Sequence, residues 1–124
     1  MDEPTTVGLT SDGHDKLRRL KEDGHFAEMT DGYRFAIALA LAHGAVPGHP
    51  GQRGTIFNVG TLDPDKQIYT AIKALYEPLD EPVYSIAERL AEWGVIELAR
   101  MAETGTLSFA RILEEAGALQ NKLE

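Results

Sequence analysis

Eight consecutive residues without a polar side chain, Phe35-Ala-Ile-Ala-Leu-Ala-Leu-Ala42, constrain this chain more than any other stretch. Thr30 is placed to cap a helix there, Asp31 suits its positive end, and Gly44 stops it. Tyr33, Ile37 and Leu41 lie on one side, Phe35 and Leu39 on another, with alanines between them. A helix that is apolar nearly all round has to be surrounded, by its own chain or by a second subunit. The run is far too short to cross a bilayer, so its surroundings are protein.

The remaining chain offers several elements as cover. Val7 and Leu9 alternate with Thr6, Gly8 and Thr10, which predicts a short strand over Thr5–Thr10. Ser11 or Asp12 then caps a helix whose Leu17 and Leu20 share a face, and Asp23-Gly24 is its stop. Thr55–Val59 is a second strand candidate. Asp63-Pro64 is a helix start, followed by Ile68, Ile72 and Leu75 at helical spacing and flanked by Tyr69 and Tyr76. Pro82 opens the longest helix, to Glu103. Tyr84, Ala87, Ala91, Gly94 and Leu98 form its apolar stripe, and Leu90, Trp93, Val95 and Ile96 widen it. A glycine inside a helix costs roughly 1 kcal/mol against alanine, which a close helix crossing would justify. A last helix is expected over Leu107–Ala116, with Leu107, Ile112 and Leu113 buried.

These elements predict a mainly α fold of four to five helices with one or two short β-strands. It begins with a strand-helix-helix unit of ribbon-helix-helix type. The 124 residues suit a single domain. Its sub-parts, 5–44 and 55–117, are joined by the Gly/Pro loop 44–54, and each is small enough that the two are expected to share one core.

The loop, GAVPGHPGQRGT, resembles a phosphate cradle only in its glycines. A Walker A loop has the form G-x-x-x-x-G-K-[ST] and lies between a strand and a helix. Here Arg53 stands five places after Gly48, lysine is absent, and a helix precedes the loop while a strand follows. Pro47 and Pro50 remove amide donors, so the segment reads as an exposed connector.

No catalytic constellation emerges. The chain has no cysteine, which removes disulfides and thiolate metal sites. None of His14, His25, His43 and His49 pairs at the i, i+4 spacing of a zinc helix. Glu88 and Glu92 do share that spacing, but a solvated helix face is the reading for them, with Arg89 beside them. No serine lies in a nucleophile elbow. No catalytic residue, metal or cofactor is therefore expected, and the chain reads as a non-enzyme.

Twenty acidic residues against 12 basic ones give a net charge of -8, which repels phosphate backbones at long range. The acidic, polar start MDEPTTVG is unlike a secretory leader, so a cytoplasmic location is expected and no membrane partner. The helices at 31–43 and 82–103 carry more apolar surface than one core of this size needs. Phe35, Leu39, Tyr84, Trp93 and Ile96 are accordingly the candidates for contact with a protein partner or with further copies of the chain. An alternative rests on Lys16, Arg18, Arg19 and Lys21, which crowd one and a half helical turns near Arg34. In a ribbon-helix-helix regulator, Thr6 on the strand and Lys16, Arg18, Arg19 and Arg34 would meet DNA.

Two stretches carry a family resemblance. Asp31 to Pro47, DGYRFAIALALAHGAVP, resembles the D-x-x-x-F-A-x-A-L-G helix of small proteins associated with bacterial DNA phosphorothioation (Dnd) systems. Leu90 to Leu98, LAEWGVIEL, is similar to a later helix of that family with a Tyr-Ala-x-x-Gly-hydrophobic pattern, Leu90 standing at the tyrosine. Order and spacing agree over about Met29 to Glu103. The resemblance implies an accessory or adaptor protein of a DNA-modification or anti-phage system, and no catalytic residues to transfer.

Overall fold

The computed structural model describes residues 2–105 apart from Val46 and Pro78, and the helix expected over 107–116 lies outside that range. The protein is mainly helical, with a strand and two helices at its start. In chain order the described elements are β1 (Thr6–Leu9), α1 (Ser11–Glu22), α2 (Met29–Ala42), β2 (Gly54–Asn58), α3 (Val59–Leu62), α4 (Gln67–Tyr76) and α5 (Val83–Glu103).

The two strands pair with each other, antiparallel and within one chain, with Thr6 opposite Asn58 and Leu9 opposite Gly54. The register shifts between Val7 and Gly8. Val7 and Leu9 are buried, as their alternation predicts. Phe57 on β2 meets the Tyr33 ring edge-on at 5.3 Å.

Several element boundaries differ from the expected ones, each for a local reason. Thr10, rather than Ser11 or Asp12, caps α1: its hydroxyl accepts the Gly13 amide at 3.0 Å. Thr30 lies inside α2, whose cap position is Glu28 without a side-chain bond. The one-turn helix α3 follows β2 directly and left no periodic signal to read. Asp63-Pro64 does not begin α4; the chain turns through Pro64 and Asp65, and Lys66 adopts a left-handed conformation with φ 59° before the helix starts at Gln67. Asp63 still performs the capping, because its carboxylate accepts the amides of Ile68 at 3.0 Å and Tyr69 at 2.9 Å.

One core joins elements on both sides of the Gly/Pro loop: Leu17 and Leu20 of α1, Tyr33, Ile37 and Ala40 of α2, Ile72 of α4 and Val83, Leu90, Val95 and Leu98 of α5 are all buried in it. The apolar α2 is thus surrounded largely by its own chain. Its principal neighbour is α5, and the two approach so closely at Gly94 that a β-carbon there would lie 2.6 Å from the Ala36 Cα and overlap the Ala36 carbonyl. The atoms it would meet are backbone, so no side chain can turn aside to make room. Gly94→Ala should therefore destabilise the fold by about 3 kcal/mol despite its better helix propensity. Urea unfolding monitored by circular dichroism checks this, and a variant as stable as the parent would refute the close crossing.

Candidate functional site

Helix α5 presents a second face to β1, and this face is acidic. Glu88 and Glu92 are one turn apart and both reach the N-terminal strand. Glu88 accepts the Gly8 amide at 2.9 Å through one oxygen and pairs with Arg53 through the other. Glu92 accepts the Thr10 amide at 2.8 Å and the Thr10 hydroxyl at 3.0 Å. The Gly8 carbonyl accepts the Tyr33 hydroxyl at 3.0 Å. Side chains from α5 and α2 thus take both backbone groups of Gly8. Glu92 is 6% exposed, so the expectation of a solvated Glu88–Glu92 face is corrected. The carboxylates were drawn inward because a strand lying beside a helix leaves amides that need acceptors.

Burial dominates the electrostatics here. Glu88 has its carboxyl raised above the ordinary 4.5 by desolvation, against the opposing pull of the Gly8 amide and Arg53. Tyr33 is raised by desolvation first and by the nearby Glu88 second, so its hydroxyl remains a donor. Glu97 on the outer side is lowered by its hydrogen bond from Arg100.

Beside this latch lies an open cleft of about 350 Å³ bounded by Thr10, Pro47, Pro50, Glu92, Trp93 and Ile96. Trp93 is half-buried and its ring lies 5.6 Å from that of His43, at the end of α2. Ile96 is 45% exposed. Arg89 also borders the cleft; it pairs with Glu81, and its Nε is buried without a hydrogen-bond partner.

The expected contact residues separate. Trp93 and Ile96 are together at this cleft. Leu39 and Tyr84, 6% and 4% exposed, belong to the chain's own core, which absorbs part of the apolar surplus that suggested a partner. Phe35 is half-buried, its ring 5.7 Å from that of Phe26.

The expected DNA-contact residues have local duties. Lys16 bonds Asp12 at 2.8 Å and Arg18 pairs with Asp15 at 3.3 Å. Arg34 donates to the carbonyls of Leu62 at 2.8 Å and Thr61 at 2.9 Å, closing the end of α3, and pairs with Asp31. Arg19 lines a groove between α1 and α5. Thr6 is paired with Asn58, and the other side of β1 is engaged at Gly8 by Glu88 and Tyr33 and at Thr10 by Glu92, so β1 is not an open ribbon edge for a second chain. Among the described residues, no cluster of three or more histidine and carboxylate side chains is arranged to hold a metal ion, and no helix is long and apolar enough to cross a membrane.

Sequence reasoning missed the role of Glu3 and the bond between Asp63 and Tyr84. Glu3 accepts the amides of Val83 and Tyr84, both at 2.9 Å, and so caps α5 from 80 residues away. Asp63 accepts the Tyr84 hydroxyl at 2.8 Å besides its two α4 amides. Desolvation and that hydrogen bond raise the Tyr84 phenol well above its ordinary value. No local pattern announces Glu3, because its partners are remote in sequence.

Comparison of the chain with protein-family models, curated proteins and solved structures returns no match.

The latch has measurable consequences. Glu92→Ala leaves the Thr10 amide without its acceptor and should cost about 2 to 3 kcal/mol, the scale of a lost hydrogen bond to a charged group, in urea unfolding. Glu88 should give the opposite of the usual acid response. Its raised folded value means the folded chain holds this proton more tightly than the unfolded chain, so its contribution to stability falls as pH rises from the ordinary 4.5 towards the folded value. The stability difference between the parent and Glu88→Gln should decline over that window, and a difference that grows with pH would contradict the burial effect.

Proposed function

We propose that this protein is a non-enzymatic accessory or adaptor protein that acts through protein–protein contacts. The observation that carries the reading is the exposed Ile96 beside the half-buried Trp93 at a proline-rimmed cleft on α5. An exposed apolar side chain beside an indole, on a rigid helix and bordered by polar groups, has the character of an interaction anchor. The inward carboxylates support the same reading. Asp63, Glu88, Glu92 and Glu3 are each engaged by backbone donors, which makes them architectural acceptors.

The resemblance to the Dnd-associated family supplies the setting: a DNA-modification or anti-phage system in the cytoplasm of a bacterium or archaeon, with the chain acting as a homo-oligomer alongside a protein of that system. The net charge of -8 favours a protein over DNA as the partner. Pairing of β1 within the chain also weighs against a ribbon-helix-helix regulator.

Light scattering on the purified chain, with and without a short duplex DNA at low and then moderate salt, tests this reading. An oligomer that ignores DNA and dissociates in Ile96→Asp is expected, with the variant's stability within about 0.5 kcal/mol of the parent as for other surface changes. A strict monomer would count against self-association through this face. DNA binding that weakens with salt and with charge reversal at Arg18 and Arg19 would instead favour the regulator.

A further inference from the structure

The starts of α4 and α5 converge on a separate cleft of about 560 Å³, within the range of small-ligand sites. Its walls include Glu3, Thr5, Val59, Asp63, Tyr69 and Lys66. The Tyr69 and Tyr84 rings lie 5.8 Å apart at 47°. Tyr84 is buried, whereas Tyr69 is half-buried and offers its face. The ammonium of Lys66 stands over that face, 5.7 Å from the ring centre. Lys66 is also the one non-glycine residue with positive φ among the described residues.

We propose that this cleft binds a small organic cation carrying one ammonium charge, in the place now held by the side chain of Lys66.

The charge balance defines the ligand. Each helix start contributes about half a positive charge, and each carries one carboxylate, Asp63 for α4 and Glu3 for α5. The two carboxylates therefore exceed the two helix ends by about one negative charge. Lys66 brings one positive charge to this lining, over the Tyr69 ring, and a single cation takes its place when it swings out. An anion is disfavoured because the amides that would bind it are occupied. Hydrogen-bonding capacity agrees. A carboxylate has about four acceptor positions. Glu3 uses two on Val83 and Tyr84, leaving room for a donor from the ligand. The Tyr69 face supplies the quadrupole that attracts ammonium groups, methylated ones included. Lys66 is exposed, so leaving the cleft costs it little contact.

Amide NMR of the full chain titrated with methylammonium chloride, against sodium chloride at equal ionic strength, tests the site. Saturable shifts at Lys66, Tyr69, Val83 and Tyr84 in the millimolar range are expected. Lys66→Gln removes the resident cation and should tighten binding about threefold or more, the scale of an exposed cation–π contact. Tyr69→Leu should abolish the saturable shifts, and Tyr69→Phe, which keeps the ring, should retain them. Shifts no larger than those with sodium chloride in both the parent and Lys66→Gln overturn the proposal. So does unchanged or weaker binding in Lys66→Gln, or binding that survives in Tyr69→Leu. A parallel titration with butylammonium and with a short lysine-containing peptide distinguishes a free amine from a lysyl side chain as the source of the charge. This test is independent of the α5 contact face, since Ile96→Asp leaves the cleft intact.

Discussion

The contact of Gly94 with the backbone at Ala36 sets the distance at which everything else is assembled. Two helices that meet backbone to backbone have no side chains between them to take up slack. Once α2 and α5 lie that close, the side chains of α5 are divided among fixed destinations. Leu90, Leu98 and their neighbours fill the shared core, Glu88 and Glu92 reach β1, Trp93 packs half-buried at the cleft, and Ile96 faces outward. A longer side chain at position 94 would change the separation of α2 and α5 and, with it, the reach of both glutamates.

Carboxylates here do work that backbone groups do elsewhere. A two-stranded sheet satisfies one edge of each strand and leaves the other open. Glu88 and Tyr33 close the open side of β1 at Gly8, and Glu92 closes it at Thr10. Glu3 and Asp63 do the same for the free amides at the starts of α5 and α4. This explains how an acidic chain can hold several carboxylates inward: each is matched to donors that would otherwise be unpaired. It also explains why β1 does not offer itself to a second copy.

The fold was legible where periodicity governs. Val7 and Leu9 in the strand, Leu17 and Leu20 in α1, and Gly94 at the crossing all announced their roles by spacing. Boundaries were legible only in part. Asp63 was recognised as a cap, but the left-handed Lys66 that delays α4 leaves no signature in residue type. The latch was missed because a glutamate pair one turn apart ordinarily faces water. The available signal was the row Tyr84, Glu88, Glu92, Val95, which places both acids beside a buried flank of the helix. Of the proposed contact residues, Trp93 and Ile96 were separable from Leu39 and Tyr84 only in three dimensions. Apolar character alone does not say whether a side chain is used by its own chain.

The N-terminal bonds also impose an order on synthesis. Glu3, Gly8 and Thr10 emerge before their partners Val83, Glu88 and Glu92, which lie 80 to 82 residues later. Until those residues have left the ribosome, the strand amides have only water to bond. The strand is therefore made well before it can find its place, and it waits, incomplete, for the helix that finishes it.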